Sequence, residues 1–136
     1  MAERIEGPVQ LTLHLEALQA RQNPELIGKA EYQIRVWING LERWQSERPI
    51  KVAEGASTAL AVAIPLRLND ETDVVSIQVT LDEQDLLSRD DPAEGSFELY
   101  RSAGFFAGER FSIPLSGPDA DLSLHCRVEA EALDLG

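Results

Sequence analysis

Apolar and polar side chains alternate along most of this chain. The alternation is clear in residues 9–16, in residues 31–38 and in the stretch that starts at Val74, where every second side chain is aliphatic. Because successive side chains of a strand point to opposite faces of a sheet, a period of two predicts strands with one buried face. We find no convincing helical stripe, so we predict a protein built from strands.

Eight strands follow from this pattern, and residues that favour turns separate them. Asn39 and Gly40 predict a hairpin, since both residue types tolerate positive φ. Pro49 and Pro65 fall inside predicted strands; Pro49 indicates a sheet edge or a bulge, and Pro65 indicates a sheet edge or a strand end. Residues 17–30 contain a proline and a glycine, and we interpret them as a long loop. The predicted strands are 9–16, 31–38, 41–52, 57–68, 74–81, 96–100, 110–115 and 121–132.

The number and spacing of these strands are typical of a sandwich of two sheets. The expected fold is therefore all-β, an eight-stranded antiparallel β-sandwich. A length of 136 residues suits one domain with a single core. We expect that domain to span residues 9–132, with a polar lead at 1–8 and a short tail at 133–136.

The charge balance excludes one class of partner. There are 24 acidic and 12 basic residues, which gives a formal net charge of −12. Binding to nucleic acid needs clustered positive charge, so we expect no nucleic-acid partner. Unaided binding to an anionic membrane is disfavoured for the same reason.

The cysteine content and the apolar runs bear on the compartment. The only cysteine, Cys126, excludes an internal disulfide and a zinc site built from cysteines. No apolar run has the character of a signal peptide or the length of a transmembrane helix. We therefore expect a cytoplasmic protein that can also attach peripherally to a membrane.

The residue types of an enzyme active site do not come together in the sequence. His14 and His125 are the only histidines, and each lies on the strand face opposite the aliphatic side chains. We interpret both as surface residues, which leaves a hydrolytic triad without its base. Cys126 falls on the apolar face and is expected to be a small buried side chain. We predict a protein that is not an enzyme and has no catalytic residues.

An acid-rich segment follows the strand that starts at Val74. Five of the ten residues from 82 to 91 are acidic, and Leu86 and Leu87 lie among them. A solvated connection between two strands has this composition. A calcium site has it too, because Ca²⁺ binds several carboxylate and carbonyl oxygens that converge from flexible backbone.

Three stretches resemble C2 domains: ELIGKAEYQIRVWING, ERWQSE and VTLDEQDLLSRDDPAEG. The resemblance covers roughly residues 9–115. One strand precedes the first of these stretches and one strand is added at the C-terminus, which resembles the type II topology of the family. The resemblance implies a C2-like β-sandwich that carries its ligand-binding loops at one end.

The resemblance also implies a calcium site. Members of the family use two acids six residues apart in loop 1 and three acids at offsets of zero, two and eight in loop 3. All five matching positions are acidic here, and three of them carry Glu where the family prefers Asp. The implied calcium ligands are Glu25, Glu31, Glu83, Asp85 and Asp91.

Apolar residues accompany the acids of both loops. In calcium-responsive C2 domains, apolar residues at these places enter the lipid. The membrane-contacting residues implied here are Leu26, Ile27, Leu86 and Leu87. The alternative is that these side chains pack the loops onto the end of the sandwich, since single exposed apolar residues are common.

Three functions remain open at this point. The first is calcium-dependent attachment to a phospholipid membrane, in which calcium removes the repulsion between clustered carboxylates and anionic lipid. The second is calcium-independent binding of a protein partner through a sheet face or an edge strand. The third is a subunit of a larger assembly, which an exposed face around Trp37 would indicate. We prefer the first because five acidic positions match the family.

Overall fold

Nine strands are present in the computed structural model, which describes residues 6–22, 29–83, 93–118 and 120–133, without the side chains of 29, 30 and 83. One 3₁₀ helix, Arg101–Phe106, is the only helix in this part of the chain. The strands are β1 (Val9–Gln22), β2 (Lys29–Ile38), β3 (Leu41–Gln45), β4 (Ile50–Ala53), β5 (Ser57–Leu68), β6 (Val74–Glu83), β7 (Ala93–Tyr100), β8 (Arg110–Gly117) and β9 (Ala120–Ala132).

The strands pair in the order β3-β2-β6-β7-β8-β9-β1-β5, and β4 is a second partner of β2. All the pairs are antiparallel. β7 and β8 share a single paired position, Glu94 with Ser116, so the hydrogen-bonded order is nearly interrupted there. The strands before and after this point enclose one common core, which confirms the predicted antiparallel sandwich.

The core contains the faces that the alternation predicts. In β9, Leu122, Leu124, Cys126 and Val128 are fully buried. β6 buries its odd-numbered aliphatic residues in the same way, from Val75 onwards. Each such aliphatic side chain contributes about 1.5–3 kcal/mol by leaving water. Pro65 lies in β5, the last strand of the pairing order, as expected of a proline at a sheet edge.

The prediction that residues 17–30 form a long loop is wrong, because β1 continues to Gln22 and β2 begins at Lys29. The cause is a β-bulge at Glu16. Leu15 pairs with Cys126 and Ala17 pairs with the adjacent His125, so Glu16 is the extra residue. Beyond the bulge the buried side chains are even-numbered, starting with Leu18. A strict period of two therefore ends at residue 15 although the strand does not.

The predicted third strand, 41–52, is two strands in the structure, which raises the count from eight to nine. Both β3 and β4 pair with β2, and the chain leaves the sheet between them. Ser46 is buried in this break, where its Oγ accepts a hydrogen bond from the backbone N–H of Ile34 at 3.0 Å. Pro49 lies just before β4, where it has no ladder hydrogen bond to donate.

One arginine ties together the end of the sandwich that contains the Asn39–Gly40 hairpin. The side chain of Arg101 is 1% exposed, and its guanidinium lies 5.2 Å from the ring centre of Phe105. The guanidinium donates hydrogen bonds to the carbonyl oxygens of Gly7 at 2.7 Å, Asn69 at 2.7 Å and Thr72 at 2.9 Å. One planar group thus fixes the N-terminal segment and the β5–β6 connection to the 3₁₀ helix.

We expect the Arg101→Met substitution to lower the free energy of unfolding by about 3 kcal/mol or more, because it removes a buried guanidinium that donates to three backbone carbonyl groups. Urea denaturation measures the change. Arg67→Met is the matched control: Arg67 is exposed on β5, and its loss should change stability by no more than about 0.5 kcal/mol. Equal unfolding midpoints for the two variants would contradict the role assigned to Arg101.

Candidate functional site

Two segments carry proposed calcium ligands, residues 23–28 with Glu25 and the acid-rich residues 84–92, and they attach to the sandwich through neighbouring strands. In the β2–β6 pair, Tyr32 lies opposite Glu83 and Gln33 lies opposite Asp82. The chain enters β2 at Lys29 after residues 23–28, and it leaves β6 at Glu83 before residues 84–92. Both segments therefore begin or end at the same end of the sandwich. A cation site shared between them requires this arrangement.

A third connection closes the same end. The turn at Glu54 and Gly55 joins β4 to β5, and the φ of Gly55 is 81°, a conformation that suits glycine. The turn packs on β1 through two backbone hydrogen bonds. The N–H of Gly55 donates to the carbonyl oxygen of Ala20 at 2.8 Å, and the N–H of Ala20 donates to the carbonyl oxygen of Ala56 at 2.9 Å. The end of β1 that precedes residues 23–28 is thus hydrogen-bonded to this turn.

Glu31 is the one predicted calcium ligand whose side chain the structure describes. It pairs across the strands with Lys51 of β4, and its carboxylate Oε1 lies 3.4 Å from Lys51 Nζ. The Glu31 side chain is 29% exposed, so the carboxylate is accessible from solvent. A carboxylate oxygen at the end of β2 suits a hard cation, but the ammonium group of Lys51 already neutralises it.

The other predicted site residues contribute less to this description. Glu83 is described only as the last backbone position of β6. The described residues contain no group of three or more His, Cys, Asp or Glu side chains that could hold a metal ion. The predicted residues that lie outside the described ranges are Glu25, Leu26, Ile27, Asp85, Leu86, Leu87 and Asp91.

His125 connects three strands on the outer face of the second half of the sandwich. Its Nδ1 lies 2.7 Å from the Ser112 Oγ on β8, and its Nε2 lies 2.8 Å from the Gln19 Oε1 on β1. The arrangement resembles a serine paired with a base, but the shallow groove on this face is lined by His14 and Arg127 instead. An activated serine needs donors placed around a reacting carbonyl in a site that excludes water. On this open face, the three side chains brace β1, β8 and β9.

A chain of alternating charges runs beside this brace. Glu16, the bulge residue, accepts a hydrogen bond from Arg110 at 3.1 Å and lies 3.5 Å from Arg127. Arg127 also donates to Glu129, which lies 3.2 Å from the Nε2 of His14. The hydrogen bond from Arg127 lowers the pKa of Glu129, and desolvation opposes that shift. These contacts depend on strand register, and spacing along the sequence does not reveal them.

Cys126 has the properties of a core side chain. It is fully buried, and burial, with a smaller effect of the Glu16 charge, raises the pKa of its thiol from 9.0 to about 12. A thiol with so high a pKa is almost entirely protonated at neutral pH, and the thiolate is the reactive form. A nucleophilic role for Cys126 therefore has no support in its surroundings.

Comparison with known proteins gives structural matches only. No protein-family model matches the sequence, and no curated protein matches it. A C2 domain protein from Ramazzottius varieornatus matches with a TM-score of 0.63 at 13% identity, over 96% of this chain and 92% of that one. The C2A domain of a plant extended synaptotagmin 1 matches with a TM-score of 0.56 at 9% identity, over 96% and 100%.

An enzyme is also among the matched structures. Human GIVD cytosolic phospholipase A2 matches with a TM-score of 0.63 at 10% identity, over 95% of this chain but only 18% of the enzyme. The chain thus spans less than a fifth of that protein. Together the matches show that this chain has the C2 fold. No helix in the described ranges is long and apolar enough to cross a membrane.

The raised pKa of Cys126 predicts a pH dependence of stability. The folded thiol stays protonated up to about pH 12, whereas the unfolded thiol ionises near pH 9.0. The stability that this group contributes is therefore present below pH 9 and is lost as the pH rises towards 12. Between pH 9 and pH 12, the free energy of unfolding measured by urea denaturation should fall faster in the wild type than in Cys126→Ala. The difference between the two slopes should be roughly 1.4 kcal/mol per pH unit. Parallel pH profiles for the two proteins would contradict this prediction.

Proposed function

We propose that this chain is a non-catalytic C2-type module that attaches to phospholipid membranes when calcium binds at the end of the sandwich where residues 23–28 and 84–92 attach. The observation that carries the proposal is the pairing of β2 with β6, in which Tyr32 lies opposite Glu83. This register attaches both segments at one end of the sandwich. The likeness to C2 domains supports the proposal through the fold.

Calcium is the cation that the ligand set suits. Its implied ligands carry only carboxylate oxygens, and Ca²⁺ accepts six to eight oxygen ligands in flexible geometry. The bound ion would supply positive charge at an end where the carboxylates otherwise repel one another and anionic lipid. The residues proposed to hold it are Glu25, Glu31, Glu83, Asp85 and Asp91.

Lys51 has a specific part in this proposal. Its Nζ lies 3.4 Å from the Glu31 Oε1, so it occupies the place of a counter-ion next to a proposed ligand. Calcium binding has to displace this ammonium group or share the carboxylate with it. Exposed pairs of this kind contribute up to about 1 kcal/mol, so the displacement has a small energetic cost. We propose that Lys51 weakens calcium binding without preventing it.

The membrane contact would come from the apolar residues of the same two segments. Once calcium has neutralised the acids, these side chains can leave water for the boundary of the bilayer, and each fully buried one contributes roughly 1.5–3 kcal/mol. We propose that the protein is cytoplasmic and attaches to the membrane reversibly and peripherally. The proposed membrane-contacting residues are Leu26, Ile27, Leu86 and Leu87.

The Glu31–Lys51 ion pair also favours a second candidate function. A ligand position that is neutralised without calcium, together with Glu at three positions where the C2 family prefers Asp, suits a sandwich that works without the ion. Such a module would bind a protein partner through a sheet face or an edge strand. The two functions differ in one measurable property, which is the dependence on calcium.

Calcium should raise the melting temperature of the protein, because a ligand that binds only the folded state stabilises it by mass action. At 1 mM calcium we expect the shift to be smaller in Asp85→Asn and in Glu31→Gln. It should be larger in Lys51→Met, which removes the ammonium group next to the Glu31 carboxylate. Differential scanning calorimetry with calcium and with a chelator measures these shifts. A wild-type protein with equal melting temperatures in both buffers would favour the calcium-independent function.

The protein should sediment with vesicles of phosphatidylcholine and phosphatidylserine in calcium but not in chelator. Replacing both Leu26 and Leu87 by alanine should weaken attachment at least tenfold, while the calcium-induced thermal shift stays unchanged. Leu41→Ala is the matched control, since Leu41 is 60% exposed beside the hairpin at the opposite end. Sedimentation that does not differ between calcium and chelator would reject calcium-dependent attachment.

A further inference from the structure

A groove of about 710 Å³ lies on the outer face of the sheet half that contains β2, β6 and β7. None of the residues that line it is a proposed calcium ligand. Its volume is in the range of sites that bind small molecules or single side chains of a partner. Its side chains come from four strands: Trp37, Gln78, Thr80, Glu94, Ser96 and Ser116.

Strand register produces the two sides of the groove. Trp37, Gln78 and Ser96 form one row across β2, β6 and β7, because each pairs with the next. Thr80, Glu94 and Ser116 form the next row, across β6, β7 and β8. Neighbours within such a row are about 5 Å apart at Cβ. The floor of the groove is therefore polar, with an indole ring at one side and a carboxylate towards the other.

Gly95 allows β8 to come close enough to form the far wall. A Cβ at this position would lie 1.9 Å from the carbonyl oxygen of Pro114, a distance that no side chain can accept. The absence of a side chain lets the backbones of β7 and β8 approach closely next to the Glu94–Ser116 pair. Ser116 thereby reaches the groove.

The face around the groove is acidic. Glu42 lies opposite Trp37 in the β2–β3 pair, and Glu94 and Glu98 are exposed on β7. Two exposed basic residues lie near these acids: Arg35 of β2, which pairs with Thr80 in the row of Glu94, and Arg43 of β3, which follows Glu42. No ion pair joins Glu94 to another described residue. This charge repels phosphate groups and attracts cations.

Trp37 provides a second contact for a cation. The side chain of Trp37 is on the groove side of β2, between the buried Val36 and Ile38, whereas Trp44 packs against the core. The face of an indole ring attracts guanidinium and ammonium groups. Trp37 and Glu94 are two strands and two residues apart, so their Cα atoms are separated by roughly 12 Å. One arginine or lysine side chain between them can approach both the ring and the carboxylate.

We propose that this groove binds an arginine- or lysine-bearing segment of a protein partner, with the cationic group over Trp37 and paired with Glu94. The occupant follows from charge complementarity: the groove combines an aromatic face with acidic residues. A tryptophan and a basic side chain are also the residue types that dominate protein–protein hot spots. The binding needs no calcium, so it can be tested in chelator, independently of the membrane proposal.

The probe is the peptide Arg-Ser-Arg-Ser-Arg-Ser, titrated into the protein by calorimetry in chelator at physiological salt. The same peptide with citrulline in place of arginine is the neutral control and should not bind. Trp37→Leu and Glu94→Gln should each weaken binding of the arginine peptide roughly two- to fivefold. In Trp44→Phe, Trp37 is the remaining tryptophan. We expect this variant to bind the arginine peptide with the affinity of the wild type, and the fluorescence of Trp37 should change on binding.

Glu109→Gln removes one exposed acid outside the groove and distinguishes site binding from attraction by total charge. We expect its affinity to equal that of the wild type. If Glu109→Gln weakens binding as much as Glu94→Gln, or if Trp37→Leu has no effect, the groove is not the site and the proposal is wrong. Binding of the citrulline peptide with the same affinity as the arginine peptide would also overturn the proposal. So would binding of the protein to phosphatidylserine vesicles in chelator, if Glu94→Gln changes that binding.

Discussion

The guanidinium of Arg101 is the interaction on which the arrangement of the strands most depends. Its hydrogen bonds to Gly7, Asn69 and Thr72 join segments that are distant in the sequence, and they satisfy carbonyl groups that have left the strand ladder. Burying a guanidinium is favourable only when hydrogen-bond partners replace the water that it loses. Because this end of the sandwich holds the connections together, the opposite end is free to carry residues that repel one another.

Local sequence patterns predict the faces of the strands but not their partners. The alternation in β6 and β9 identifies the buried side chains, because burial on one face is a property of each strand alone. It fails at Glu16, where a bulge reverses the parity of β1, since a bulge becomes visible only against the neighbouring strand. The role of Arg101 is hidden for a related reason: its acceptors lie 29, 32 and 94 residues away.

The candidate sites show the same division. The resemblance to C2 domains implies a set of calcium ligands, and the register of β2 with β6 is compatible with that set. The counter-ion of Glu31 is not predictable, because it depends on the pairing of β2 with β4 rather than on spacing along the chain. The groove at Trp37 is harder still to predict from the sequence. It exists because Gly95 admits the backbone of β8, and a lone glycine in a strand has several interpretations.

The two proposed surfaces carry charge differently, and this constrains how the domain would meet a membrane. About two calcium ions bound at the acid-rich end would change the net charge from −12 to about −8, so most of the surface would remain acidic. Only the calcium-loaded end would attract anionic lipid, while the groove face with Glu42, Glu94 and Glu98 would be repelled. The domain would therefore approach the bilayer end-on, and the groove at Trp37 would stay accessible from the side. A basic segment could then bind there while the acid-rich end holds the membrane, since the two contacts use different residues and opposite local charges.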